Sequence, residues 1–352
     1  MDWSKLEAVG YDVNRKTGNN YYQQYLKPSY YLEVYLRWTE EEVLLAFYKE
    51  VLQELEPLFQ YHGSDKKSGV TKIRKRAAAL DFFSDFLNSK RKYCWNYLSD
   101  KGGVGNAKEM GGVGAAAFEC WIHKTPFSEE KQAEQVQKHK EDLLTYETDM
   151  LPSGIRVSRI QVRFPIDFFE SPADFSDWVL NTSLLKRGTF FSGTAGYKIN
   201  HWGGYTNRAA EEQLKQILVD YPGLAWDIPM GNSIGRFLNE AKSDFLPVIK
   251  RINWLTFVSE EGLRKIGGLD LIQHQIEKNG KSKVHQLSKG IGIQACEKPA
   301  LSASDDGFEQ YVEIHRILNK LCYKRHSRDR YATPDDTIAK EWLYRFNEKL
   351  TR

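Results

Sequence analysis

Ile249-Lys-Arg-Ile-Asn-Trp-Leu-Thr-Phe-Val-Ser-Glu-Glu-Gly-Leu-Arg-Lys-Ile-Gly-Gly268 is the stretch whose reading decides the fold. Ile252, Trp254, Thr256 and Val258 alternate with Arg251, Asn253, Leu255 and Phe257, which is the spacing of a strand. Apolar residues occur in both sets, so both faces of this strand are expected to be covered. Ser259 then stands at an N-cap position, with Glu260 and Glu261 in the first turn, where they face the positive end of a helix dipole. Leu263 and Ile266 form a short apolar stripe, and Gly267 and Gly268 can end the helix in a left-handed conformation. The stretch predicts a strand, a tight corner and a two-turn helix. It contains no nucleophile, metal ligand or phosphate loop.

Working outward, Tyr30–Trp38 is the first clear alternating strand, preceded by a polar, aromatic arm over residues 1–29. Thr39 is placed to cap a helix running to Phe59, with Val43, Leu44, Phe47, Val51, Leu52 and Leu55 on one face. A second helix is expected over Ala77–Leu98, a strand over Ala116–His123, and a charged, solvated helix from Ser128 to Leu144. The Met150-Leu-Pro-Ser-Gly154 turn marks a join between two associated halves, 30–150 and 151–352. Beyond it come a strand over Ile155–Phe169, broken near Pro165, and a helix capped by Ser171 with Pro172 at its first position. A glycine-interrupted strand over Thr189–Asn200 and a helix over Asn207–Asp220 follow. After the opening stretch, the sequence predicts a hairpin of Val284–Leu287 and Gly290–Ala295, then helices over Gly307–Leu321 and Asp336–Leu350. The fold class is therefore α+β, with largely antiparallel sheet and helices packed on it.

Composition narrows the function. A chain of 352 residues that is 41% hydrophobic and 28% charged is that of a soluble globular protein. Its formal charge of +3 argues neither for nucleic-acid binding nor for an acidic decoy of nucleic acid. There is no signal-peptide pattern at the N-terminus and no apolar run of membrane-spanning length. The four scattered cysteines read as free thiols in a reducing compartment.

No motif carries catalytic chemistry. Gly102-Gly-Val-Gly105 and Gly111-Gly-Val-Gly114 follow a helix and lead into a strand, the reverse of a dinucleotide or phosphate loop. His315, Cys322 and His326, with Cys296 near in sequence, lack the second close-spaced pair that a zinc site needs. Neither Lys324–Arg330 nor the isolated His62, His123 and His201 makes a recognisable site. No catalytic residue, cofactor or metal is assigned. Trp202 and Tyr205 on a glycine hinge, and Asp305 and Asp306 in the loop Pro299–Gly307, are the candidate partner-binding residues. The competing readings for these four are a Trp202 tucked under its own loop and an Asp305 that caps the next helix.

Several short segments, in order, resemble the TsiV-like type VI secretion immunity proteins. They are Ser192-Gly-Thr-Ala-Gly-Tyr197, Tyr221-Pro-Gly-Leu224, Asn253-Trp-Leu-Thr256 with the short helix and Gly267–Gly268, and Gly292-Ile-Gln-Ala295 with Pro299. The resemblance runs from about residue 30 to 325. It departs at Cys296, where the family tends to carry Gly, and at Leu301–Asp306, where it tends to follow the proline with Gly-Asp. Asn253, Trp254, Leu255, Gly267 and Gly268 stand in it as structural markers, and it brings no catalytic residues. The resemblance implies a non-enzymatic protein that binds and neutralises a toxic effector. With no signal peptide in view, a cytoplasmic site and a nuclease toxin are expected. The rival classes are a carboxylate-based hydrolase and a nucleic-acid-binding module.

Overall fold

The computed structural model describes residues 3–13, 20–36, 40–66, 70–101, 111–112, 114–124, 158–201, 208–226, 249–278, 280–322, 342 and 345–346. In chain order, the first half supplies β1 (Ala8–Val13), β2 (Asn20–Leu36), α1 (Glu41–Leu55), β3 (Tyr61–Ser64), β4 (Val70–Lys72), α2 (Arg76–Leu87), β5 (Tyr93–Ser99), β6 (Gly111–Gly112) and β7 (Ala117–His123). Then come β8 (Ser158–Pro165), α3 (Pro172–Asn181), α4 (Ser183–Arg187), β9 (Phe190–His201), α5 (Arg208–Asp220) and β10 (Ala225–Trp226). The last part supplies β11 (Leu255–Ser259), α6 (Glu260–Lys265), α7 (Leu269–Glu277), β12 (Lys283–Leu287), β13 (Gly290–Gln294) and α8 (Phe308–Leu318).

All thirteen described strands join one sheet, in the order β12-β13-β11-β9-β2-β8-β7-β5-β3-β4. β1 folds back antiparallel on the first part of β2, and only the short β6 and β10 pair in parallel. The α+β class with antiparallel sheet stands. β8 lies between β2 and β7, and β9 pairs with β2, so the sheet runs without a break through residues on both sides of position 150.

One face of the sheet is apolar. Tyr30, Leu32 and Val34 of β2 lie in register with Phe164, Val162 and Ile160 of β8. Phe118 and Cys120 of β7 continue the row. α1, α2 and α3 cover this face: Tyr48 and Phe83 pack on Phe118 with ring centroids 5.0 and 5.5 Å apart, and Phe175 packs on Tyr30 at 4.6 Å. Ser171 caps α3 through a capping box with Asp174, and Pro172 sits in the first turn.

The 249–268 stretch keeps most of its expected form. Every residue from Ile249 to Ser259 is buried. Ser259 caps α6 by accepting from the Gly262 N–H at 3.3 Å, and Gly267 and Gly268 have φ of 124° and 94°. The Gly268 N–H returns to the Leu263 carbonyl at 2.8 Å, closing the helix end. Regular strand starts only at Leu255, however. The Thr256 hydroxyl donates to the Asn253 carbonyl at 3.1 Å, and Asn253 Oδ1 accepts from the Trp254 N–H at 2.6 Å. These local bonds take the backbone out of the ladder before the strand begins.

Other boundaries differ for equally local reasons. The helix expected over 77–98 ends at Leu87; Tyr93–Ser99 is a strand whose alternate residues Cys94, Asn96 and Leu98 face inward. The N-cap of α1 is Glu40, whose carboxylate holds the Thr189 N–H at 2.6 Å. The helices read over 128–144 and 336–350 lie outside the described residues, apart from Trp342, Arg345 and Phe346.

Trp254 is fully buried, stacks 6.4 Å from Phe175 and donates its indole N–H to the Cys296 carbonyl at 2.7 Å. Trp254→Ala should therefore cost about 3–5 kcal/mol, read from urea unfolding. A variant with an unchanged midpoint would show that the ring contributes nothing to the core.

Candidate functional site

The second face of the sheet is polar and charged. On β2 it carries Tyr31, Glu33 and Tyr35, and on β8 Arg159, Gln161 and Arg163, all buried. A carboxylate buried mid-strand must be paired and hydrogen-bonded or it is prohibitively costly. Glu33 Oε1 accepts from the Tyr35 hydroxyl at 2.7 Å and from Arg159 Nε at 2.6 Å, while Oε2 meets Lys250 Nζ at 3.3 Å. Arg159 also reaches Glu119 on β7 at 3.7 Å. Beside this group, the Tyr31 hydroxyl donates to Thr194 at 2.8 Å and Lys198 Nζ stands 5.6 Å above the Tyr31 ring.

The cavity over this face, lined by Tyr31, Glu33, Lys198, Trp226, Lys250 and Arg251, has about 10 Å³ of free space. That is roughly room for one water, against several hundred Å³ for a small-molecule site. Arg345 closes one side of the region. Its guanidinium donates to the carbonyls of Pro222 (2.5 Å), Trp342 (2.9 Å) and Ile252 (3.3 Å) and stacks on Trp342 at 4.0 Å. Burial, and then the nearby Arg251, lower its pKa, and the carbonyls and the ring offset that cost to the cation. The arrangement is a filled, cross-braced interior.

Outside this interior, the same face turns aromatic. Trp95 and Trp121 lie 5.7 Å apart and Tyr93 and Trp121 6.0 Å apart, all half-buried on β5 and β7. The Trp121 indole donates to Glu119 at 3.1 Å, and Arg163 donates to the Tyr97 hydroxyl at 2.9 Å. The helix expected over 77–98 hid this row, although the alternation of Tyr93, Trp95 and Tyr97 with Cys94, Asn96 and Leu98 marks it as a strand.

Of the candidate partner-binding residues, Trp202 and Tyr205 lie outside the described residues. Asp305 is turned inward on its own loop, accepting from the N–H groups of Leu301 (2.8 Å) and Ser302 (2.9 Å). Asp306 is exposed and meets Lys281 Nζ at 3.0 Å; Glu309 meets the same ammonium at 2.8 Å. The structure brings the residues of the short sequence segments together. Leu255 pairs with Ala195 on β9 and Gln294 on β13. A Cβ on Gly196 would come within 2.3 Å of Asn253 Oδ1, so only glycine fits beneath that side chain. The Gly223 N–H donates to the Leu301 carbonyl at 2.8 Å, linking the Tyr221–Leu224 segment to the Pro299 loop. These segments form one packing node, not a reactive centre.

The glycine-rich stretch is anchored by Asp100, whose carboxylate accepts from the N–H groups of Ala115 and Ala116, each at 3.3 Å. Burial pushes the Asp100 carboxyl up, and Arg163 opposes that shift. Cys322 Sγ lies 3.6 Å from His315 Nδ1, but the described residues hold no group of three potential metal ligands, and His326 lies outside them.

A filled interior without a substrate-sized cavity, beneath charged and aromatic surfaces, defines a protein that works by presenting a surface to a partner. Comparison with known proteins takes this further. The TsiV family, described as type VI immunity for VRR-NUC, matches residues 95–346, more than two thirds of the chain. The chain belongs to the TsiV family of type VI secretion immunity proteins. Its role is therefore non-enzymatic. A type VI secretion system protein of Pseudomonas aeruginosa has a similar structure, with a TM-score of 0.64 and 17% identity over 98% of this chain and 89% of that one. At that identity the likeness concerns the fold. No curated protein sequence matches the chain.

Two measurements check the interior. Glu33→Ala leaves Arg159 and Lys250 buried without their carboxylate and should cost about 3–5 kcal/mol in urea unfolding; a loss below about 1 kcal/mol would show that the network is dispensable. All four thiols are free and buried, with burial pushing Cys120 up and Cys296 to about 11. The native protein should be inert to a thiol reagent at pH 8 and release four equivalents on denaturation. Rapid reaction of the folded protein would contradict that burial.

Proposed function

We propose that this chain protects its cell by binding the cognate VRR-NUC nuclease effector in the cytoplasm and occluding the nuclease's active site or substrate groove. The observation that carries this reading is membership, over most of the chain, in a family whose described role is immunity to VRR-NUC. A nuclease toxin acts on nucleic acid, so its antidote is needed where the nucleic acid is. No described helix is long and apolar enough to cross a membrane. An inhibitor without catalysis of its own must act by mass, one inhibitor for each toxin. Near-complete protection then calls for nanomolar binding, about −12 kcal/mol. An interface of roughly 1,600 Å² is sufficient if a few aromatic anchors are fully desolvated.

Occlusion makes a specific forecast. Co-expressed with its nuclease, the chain should purify as a one-to-one complex and relieve toxicity, and the purified complex should neither cleave nor bind DNA. A pair that fails to associate, or a complex that still binds DNA, would end the occlusion reading.

A further inference from the structure

The net charge of +3 conceals a strong segregation. From Phe164 to Leu185 the chain holds four carboxylates, Asp167, Glu170, Asp174 and Asp177, and no Lys, Arg or His. All four are exposed, and none enters an ion pair among the described residues. α1 lies alongside, set there by Phe47 and Trp178 with rings 6.4 Å apart, and adds Glu41, Glu42, Glu50 and Glu54 against Lys49. Some of that charge is already committed: Glu41 meets Lys124 at 2.7 Å, and Glu50 accepts from Ser183. The uncompensated charge therefore centres on Asp167–Asp177.

Aromatic side chains stand among these carboxylates. Phe168, Phe169 and Trp178 are half-buried, each packed on Phe164 with centroids 5.1, 5.0 and 4.7 Å away. A merely solvated charged face does not carry three large rings, whereas interface cores are enriched in them. The ridge is also stiff. The Phe168 N–H donates to the Pro165 carbonyl at 3.1 Å, and the Ser171–Asp174 capping box with Pro172 fixes the start of α3. Little ordering entropy remains to be lost on binding.

We propose that this acidic aromatic ridge, Asp167 to Trp178, is the surface that enters the substrate groove of the nuclease. The assignment rests on the occlusion reading and supplies its contact surface. A groove that holds nucleic acid must be positive, because phosphates dominate the binding. Carboxylates on a stiff backbone replace phosphates there, and half-exposed rings replace stacked bases. Charge of the opposite sign also speeds the encounter. Other surfaces fit this partner less well. In the row of Trp95 and Trp121, the Glu119 carboxylate is balanced by Arg159 and lies near Arg163. In the Asp306 loop, Lys281 neutralises Asp306 and Glu309.

The test uses the full chain and its purified effector. The triple reversal Asp167→Lys/Glu170→Lys/Asp177→Lys leaves the Asp174 cap intact. It should weaken binding by about 100-fold or more. The neutral triple Asp167→Asn/Glu170→Gln/Asp177→Asn should lose about 10-fold and flatten the salt dependence. An equal reversal elsewhere, Asp85→Lys/Glu277→Lys/Glu297→Lys, should bind as the parent does, and all three variants should keep the parent's melting temperature. If the neutral triple and the folded reversal bind at parental affinity while the parent still excludes DNA, the ridge assignment is overturned and occlusion survives. If the parent complex still binds DNA, occlusion itself fails.

Discussion

A single buried carboxylate constrains this molecule more than any other group. Glu33 sits in the middle of β2, the strand through which both sides of the sheet are joined, and it has almost no access to water. Burying that charge without partners would cost more than the whole net stability of a typical domain. Arg159 on β8 and Lys250 ahead of β11 must therefore reach it together, with Tyr35 from its own strand. A one-residue slip of β8 against β2 would point Arg159 to the apolar face and leave the carboxylate exposed to a low dielectric. The network thus selects one register and places Lys250, and with it the Asn253–Thr256 turn, over the centre of the sheet.

The two faces of the sheet divide the labour by charge. Buried cations, Arg159, Lys198, Lys250, Arg251 and Arg345 among them, are gathered on one side, where carboxylates, carbonyls and rings hold them. The helical layer on the other side is built from acidic α1 and α3. A net charge close to balance is the sum of these two arrangements and describes neither. For a protein whose partner is a nuclease, the sign of the surface matters, because the buried cations are screened from a partner by the residues that cover them.

Much of the architecture was legible in the chain itself. The Ser259 cap, the Gly267–Gly268 stop, the Ser171-Pro172 start of α3 and the hairpin of β12 and β13 are written in local chemistry: a hydroxyl that accepts from a free N–H, or a residue without a Cβ. The errors fall where two local signals compete. Tyr93–Ser99 lacks a breaker strong enough to end the preceding helix on paper, and only pairing with β3 and β7 decides for strand. Asn253 and Trp254 alternate as strand residues do, yet the Thr256 hydroxyl bonds back to Asn253 and bends the chain. The candidate site shows the same division. Asp305 was visible as an acidic loop residue, but its N–H partners at Leu301 and Ser302 belong to the folded loop.

The sequence by itself determined the class of fold, the family segments and the absence of a recognisable catalytic motif, because these depend on residue types and short spacings. Tertiary structure alone decided which segments meet. It placed Leu255 between Ala195 and Gln294, Glu33 between Arg159 and Lys250, and Trp178 beside Phe47, pairs far apart along the chain. Periodicity reports which face a side chain takes within its own element. Which partner that face finds depends on how distant elements bury their apolar area and pair their charges at once, and that is a property of the folded whole.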